Sequence, residues 1–353
     1  MSAAPPGTPG AAQLLDEGSF SMKLTRWAAT ALAATAALVL AACSGPAEES
    51  ADDSTGTTTA SDGAFPATVD TTFGEITIDE QPERVVALGW GDAEVALALG
   101  VEPVGASDWL GFGGDGVGPW SDGYTTSPEI VETLEPSYEQ IAALEPDLIL
   151  DVKSSGDKER YDRLSQIATT VGVPEGGENY LTRTEQQTMM IAAALGVPKE
   201  GAAQLEALDK AFAEAAKAHP DWSGKTATAA TRTSEGWGAY VEGSERVVFL
   251  ERLGFTPSPT VADLPANESG FSVDISDEQL DLLDADLIVA FPIFIETAQI
   301  TDDPQWKAVP AVADGRAVVI DGDLAQAYSL GTPQAQVYAV DELSSMIEAS
   351  LGS

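Results

Sequence analysis

Cations and aromatic rings follow the β-patterned runs of this chain with a regularity that points to ligand capture. Trp90 comes just after the run Arg84–Leu88, Trp109 after Val104–Ala106, and Lys153 after Leu148–Val152. Arg232, Trp237 and Tyr240 follow Thr226–Thr231, Phe291 ends Leu287–Phe291 with Phe294 close behind, and Tyr328 comes after Ala317–Ile320. Trp120 and Tyr124 join them from a glycine-rich stretch, Asp108–Ser127. Ligands of open α/β sheets sit beyond the carboxyl ends of the strands. As a set, these residues outline an aromatic cleft in which Lys153 and Arg232 would compensate an anionic ligand. Taken singly, each ring reads more readily as core than as a ligand contact, and each cation at least as readily as a solvent-facing charge.

Other chemistries find less support. Gly111-Phe112-Gly113-Gly114-Asp115-Gly116 matches G-x-G-x-x-G, but that fingerprint needs a helix opening within it to receive the phosphate. The continuation Val117-Gly118-Pro119-Trp120-Ser121-Asp122-Gly123 cannot supply one. The chain has one histidine and one cysteine, so a histidine-rich metal site and an internal disulfide both fall away. His219 ends a long helical pattern and forms no triad with a serine and an aspartate. No nucleophile stands out, and we expect a binding protein rather than an enzyme. The formal net charge of -40 (17 basic against 57 acidic residues) repels phosphate backbones and argues against nucleic acid as a partner.

The elements that must position these residues are α/β units. Lys199–Ala218 reads as one unbroken helix, with Leu205, Leu208, Phe212 and Ala216 on one face. Pro198 suits its first turn, and His219-Pro220 ends it. The flanks of this rod echo each other: Tyr138–Leu150 (YEQIAALEPDLIL) aligns without a gap on Asp277–Val289 (DEQLDLLDADLIV). A second echo pairs Leu99-Gly100 with Leu253-Gly254. Strands alternating with helices predict parallel sheets. The reading is two Rossmann-like α/β lobes joined by one long helix, with a cleft between them. The expected boundaries are 64–197 for the first lobe, 198–219 for the linking helix and 220–353 for the second lobe. Within the first lobe Asp92 is expected to cap the helix Ala93–Leu99. The glycine-rich stretch is an insertion, read as a ligand loop or a flexible decoration.

The N-terminal part carries an address. Residues 1–21 hold no pattern that folds, and Met22 reads as the start of a signal peptide over 22–42: basic residues Lys23 and Arg26, then the apolar run Trp27–Ala42. A membrane-spanning helix is the competing reading, but the run is short for one and lacks basic residues at its end. Leu40-Ala41-Ala42-Cys43 resembles a bacterial lipobox, which implies lipidation of Cys43. Residues 43–63 are Ser, Thr, Ala, Gly and acid, too polar to offset their ordering entropy, and read as a disordered tether.

Lipobox, tether, two α/β lobes and a linking helix together resemble the solute-binding lipoproteins of ABC importers. The resemblance is to the helical-backbone class that binds ferric siderophores, haem and cobalamin. It is carried by Pro82-Glu83-Arg84-Val85-Val86-Ala87-Leu88, Leu99-Gly100-Val101-Glu102-Pro103-Val104-Gly105, Ile141-Ala142-Ala143-Leu144-Glu145-Pro146-Asp147-Leu148-Ile149 and Ala313-Asp314-Gly315-Arg316-Ala317-Val318. Gly89-Trp90-Gly91-Asp92-Ala93-Glu94 is similar to the ferric-siderophore branch. Thr169-Thr170 departs from the Ala-Pro that members often carry there. The resemblance implies a monomer outside the cytoplasm, lipid-anchored to the outer face of the cell membrane. It implies no cofactor, an Fe(III)-siderophore complex as ligand with the iron held by the siderophore, and an ABC permease dimer as partner. It also implies that Glu139 and Glu278 dock on that permease, as their equivalent places in the echoed units would suit a two-fold partner. A haem or cobalamin ligand of the same class, or a lipid-anchored hydrolase, is the alternative.

The anchor reading makes an expectation. Cys43→Ala should leave an unprocessed precursor that takes up no radiolabelled palmitate, since stable anchoring needs more than one acyl chain on that residue; label in the variant would overturn the assignment.

Overall fold

The computed structural model describes residues 65–267 and 270–352. The expected signal peptide, Cys43 and the expected tether lie outside them. Among the described residues no helix is long and apolar enough to cross a membrane.

The first lobe opens with a hairpin, β1 (Ala67–Thr71) and β2 (Gly74–Ile78), and continues through β3 (Val85–Ala87), α1 (Asp92–Ala98), β4 (Gly105–Ser107), β5 (Glu129–Val131), α2 (Tyr138–Ala143), β6 (Leu148–Leu150), α3 (Lys158–Leu164), β7 (Thr169–Val171) and α4 (Thr184–Ala194). Its main sheet has the order β5-β4-β3-β6-β7, with every pair parallel. Successive side chains of a strand point to opposite faces, so Val85, Ala87, Leu148 and Leu150 pack with residues of α1 and α4. Val86 and Ile149 pack on the other face with Ile141 of α2 and Leu164 of α3. Both faces are covered, as parallel sheets require.

A helix of about 30 Å, α5 (Pro198–Ala218), follows. Gly201 lets it lie close against α4, since a Cβ there would meet the Ala192 methyl at 2.6 Å. Leu208 and Phe212 face the second lobe's core.

The second lobe contains β8 (Thr226–Arg232), β9 (Trp237–Tyr240), α6 (Glu245–Arg252), β10 (Thr256–Pro257), α7 (Pro259–Ala262), β11 (Ser272–Ile275) and β12 (Leu287–Pro292). Three short helices, α8 (Ala298–Thr301), α9 (Pro304–Ala308) and α10 (Pro310–Ala313), lead to β13 (Ala317–Val319), α11 (Gly322–Leu330) and α12 (Pro333–Leu351). The strand order is β11-β9-β8-β12-β13, with β10 also on β8.

The echoed residues do equivalent work in the two lobes. Asp147, just before β6, accepts the backbone N–H groups of Glu83 and Arg84 at 2.7 and 3.0 Å and so pins the start of β3. Asp286, just before β12, accepts the Thr226 N–H at 2.8 Å and its hydroxyl at 3.0 Å at the start of β8. These bonds hold the Asp286 carboxyl below its ordinary range. Gly100 and Gly254 end α1 and α6 with φ of +85° and +106°, and the residue after each donates back into its helix, Val101 to Ala96 and Phe255 to Leu250. That is the left-handed helix stop for which glycine is suited.

The structure corrects several expectations. Asp92 is not a cap: Gly91 is the N-cap in a left-handed conformation, and the Asp92 side chain turns inward to accept the Val152 N–H at 2.7 Å. Asp277–Leu283 is a 3-10 segment broken at Gln279 rather than a copy of α2. The second sheet is not all parallel, because β9 runs antiparallel to both β8 and β11. The strands β5, β7, β9, β10 and β11 and the helices α7 to α11 leave no mark in the sequence pattern, being short or buried without alternation. Nor is α5 alone along the lobes: α12 packs beside it, and its N-cap Thr332 reaches Glu94 of the first lobe.

Candidate functional site

A cavity of about 270 Å³ lies between the lobes. Trp90, Trp109, Lys153 and Tyr180 line it from the first lobe, and Tyr240, Arg246 and Phe271 from the second. The rings form a closed belt. Trp90 and Trp109 lie 5.5 Å apart between centroids, Trp109 and Tyr180 5.4 Å, Tyr180 and Phe271 6.4 Å, and Phe271 and Tyr240 6.4 Å. The Arg246 guanidinium closes the circuit, 4.5 Å from the Tyr240 ring centroid and 5.2 Å from that of Trp90, within the range of cation–π attraction.

Each member is fixed by backbone contacts. Trp90 donates its N–H to the Lys153 carbonyl at 2.7 Å and its indole N–H to Leu330 at 2.9 Å. The latter bond crosses the lobes. The Trp109 indole N–H reaches the Leu88 carbonyl at 3.0 Å. Tyr180 sits at φ 62°, a sparsely populated conformation for a large residue, held by its N–H on Ser154 at 2.9 Å.

Charge inside the belt is uneven. Lys153 is 3% exposed, and among the described residues its ammonium finds no hydrogen-bond acceptor. The closest carboxylate oxygen belongs to Glu245, at 3.9 Å. Burial pulls the Lys153 pKa down, with Glu245 opposing. Arg246 Nε also lacks an acceptor among the described residues. Glu245, by contrast, accepts the Thr184 N–H at 2.9 Å and the Gln336 amide at 3.3 Å. The cavity wall thus carries two cations with free N–H donors and one carboxylate already bonded. Such a wall can receive an anionic ligand with flat or apolar parts.

Of the residues singled out from the sequence, Trp90, Trp109, Lys153, Tyr240 and Phe294 meet at this cavity. Phe291 and Tyr328 stand behind it: Phe291 stacks on Tyr240 at 5.9 Å, and the Tyr328 hydroxyl donates to the Arg246 carbonyl at 2.6 Å. Arg232 and Trp237 lie elsewhere. Trp237 stacks on Trp306 at 5.0 Å, and Arg232 pairs with Asp303 at 3.2 Å and Asp277 at 3.5 Å. Trp120 bonds Glu94 at 2.8 Å and packs on Tyr338 at 5.4 Å, away from the belt. Tyr124 is half-buried, and burial first, then the Asp115, Glu102 and Glu94 carboxylates, pushes its phenol up. Glu139 and Glu278 are exposed and border none of the belt.

Arg246, Tyr180 and Phe271 escaped sequence reasoning. Arg246 had one signal: a cation in the first turn of α6, where the helix dipole disfavours it. Tyr180 and Phe271 lie in irregular segments whose pattern points nowhere. Among the described residues no group of three His, Cys, Asp or Glu side chains gathers as metal ligands would.

The chain belongs to the periplasmic binding protein family, which it matches over residues 85–324. It is an ABC-transporter-type solute-binding protein related to siderophore- and iron-complex-binding lipoproteins, a family of binding proteins rather than catalysts. It is 29% identical over 260 residues to the probable siderophore-binding lipoprotein YfiY of Bacillus subtilis, covering 69% of this chain and 76% of that protein. Its fold matches a periplasmic solute binding protein of Mycobacterium smegmatis with a TM-score of 0.69 at 28% identity, over 81% of this chain and 99% of the other. It matches PiaA of Streptococcus pneumoniae in complex with ferrichrome at a TM-score of 0.68 and 25% identity, with the same coverage of 81% and 99%.

Two carboxyls in the first turn of α1 are buried, and the second braces the lobe junction. Asp92 accepts Val152 N–H and, at 2.7 Å, the Gln187 amide; Glu94 accepts from Trp120 and from Thr332 of the second lobe. Burial raises each to about 7 against these bonds. A folded-state pKa above the unfolded one stabilises the fold at low pH and loses that contribution as pH rises through the folded value. Between roughly pH 4 and 7, acidification should therefore raise the thermal midpoint. The Asp92→Asn/Glu94→Gln variant should show a flatter midpoint profile in the same calorimetric series; identical slopes would show that these carboxyls keep their unfolded-state pKa.

Proposed function

We propose that this protein captures a ferric siderophore outside the cytoplasm and delivers it to an ABC importer, anchored by lipidated Cys43 to the outer face of the membrane. The observation that carries the ligand reading is the pair of cations, Arg246 and Lys153, with free donors inside an aromatic belt. A ferric chelate with carboxylate or catecholate arms presents oxyanions to such donors and flat or apolar surface to the rings. The relative named as siderophore-binding and the ferrichrome-bound fold match support the same class of ligand. The first lobe is assigned to 64–197, the linking helix to 198–219 and the second lobe to 220–353, each lobe a Rossmann-like unit in which strands and helices alternate. Trp90, Trp109, Lys153, Tyr240 and Arg246 are the proposed contacts, with Phe291 and Tyr328 behind them.

Trp90 and Trp109 make binding readable by fluorescence quenching. Arg246→Ala should weaken binding of a ferric tris-catecholate by about 1–3 kcal/mol, the usual cost of losing a charged contact. Arg232→Ala should bind as the wild type does, because Arg232 lies outside the cavity lining, beside Asp277 and Asp303. Wild-type binding in both variants would place the anion site elsewhere; no quenching by the tris-catecholate, ferric citrate or ferrichrome would overturn the siderophore reading.

For delivery, Glu139 and Glu278 are the proposed contacts to a two-fold permease dimer. Each is exposed and follows the serine N-cap of its element by two positions, Ser137 before α2 and Ser276 before the 3-10 segment. Reversal of an interfacial charge contact costs several kcal/mol. Cells carrying Glu139→Arg with Glu278→Arg should lose radio-iron uptake while the purified variant keeps its ligand affinity. Normal uptake would remove the docking role, and weakened binding would move these glutamates into the ligand site.

A further inference from the structure

Among the large apolar side chains of the described residues, Phe294 at 88% and Leu134 at 70% exposure stand apart from the rest, which reach 40% at most. Both border the same cavity. They come from opposite lobes, Leu134 from the loop after β5 and Phe294 from the loop after β12. Single exposed apolar residues need no explanation; two of them facing one opening from two lobes form a patch that does.

Their loops are held while their side chains are free. Arg160, paired with Asp151 at 2.8 Å, donates to the carbonyls of Thr133 and Leu134 at 3.2 and 3.4 Å. On the other lobe Ile293 donates its N–H to the Arg232 carbonyl at 2.9 Å, and Arg232 is itself fixed by Asp303 and Asp277. Phe294 also sits at φ 55°, a strained backbone for an aromatic residue. Strain opposes folding, and a side chain 88% exposed forgoes the apolar burial that could offset it. Persistent strain of this kind clusters where a ligand is gripped.

We infer that Leu134 and Phe294 form an apolar clasp, one jaw on each lobe, that closes over the outer surface of the bound ferric chelate and selects chelates with aryl or hydrocarbon edges. This rests on the reading of the cavity as a ferric-chelate site. The belt grips the inner face and Arg246 and Lys153 the charge, while the clasp reads what the chelate shows to solvent. Compact chelates of the same charge leave the jaws empty.

The test compares two anionic ferric probes, a tris-catecholate with aryl edges and ferric citrate without them, on wild type and on Leu134→Ser/Phe294→Asn. Asparagine tolerates a left-handed backbone, so the variant should melt no lower than the wild type. The double variant should lose tris-catecholate affinity by about 10-fold or more, the scale of removing buried apolar contacts, with ferric citrate changed less than about 2-fold. Equal discrimination by the two proteins, or a loss shared by both probes, would overturn the clasp and leave the siderophore reading standing. Wild type binding neither probe would overturn both.

Discussion

A carboxylate buried between the lobes holds the structure in the form that has a cavity. Glu245 opens α6 in the second lobe, yet its oxygens satisfy the first N–H of α4 in the first lobe and the Gln336 amide of α12. Helix α4 has no side-chain cap of its own; its exposed amide is met across the lobe boundary. A buried charge must be paired or hydrogen-bonded, and a helix N-terminus favours an anion, so each lobe completes the other. The Thr184 hydroxyl, donating to Gly331 at 2.6 Å, adds a further bond across the junction. Moving the lobes apart would strand these groups.

That seam also explains the site. Glu245 and Arg246 are adjacent on one helix turn, so anchoring the carboxylate in the junction places the guanidinium over Trp90 and Tyr240. Lys153 stands on the other side of the same carboxylate. In a chain with a formal net charge of -40, these cations create a local field opposite to that of the surface, and a cleft with low-dielectric walls concentrates it. An anion that passes the acidic exterior meets compensating charge inside.

The glycine-rich stretch does more than either reading of it anticipated. Asp108 accepts the N–H groups of Phe112 and Gly113 at 3.0 and 2.8 Å and folds the stretch back on itself. Trp109 and Leu110 turn to the cavity, while Phe112 and Trp120 pack against the second lobe's core. It is a strap between the lobes as much as a wall of the site.

The sequence by itself determined what rests on local periodicity and local covalent rules. The α5 rod, bounded by Pro198 and His219, follows from its apolar stripe, and the stops at Gly100 and Gly254 follow from glycine's freedom at positive φ. The aligned echoes marked Asp147 and Asp286 as equivalent, and in the fold both pin the start of a neighbouring strand. Trp90, Trp109, Lys153 and Tyr240 were legible because strand ends in α/β sheets converge. Tertiary structure decided the rest. Whether a cation meets a carboxylate depends on what arrives from distant segments: Asp303 and Asp277 pair with Arg232, while among the described residues no carboxylate pairs with Arg246. Whether Asp92 caps its helix or turns to Val152 depends on a segment sixty residues away. Tyr180 and Phe271 enter the belt only because two irregular segments meet across the lobes, and no spacing along the chain encodes a meeting of that kind.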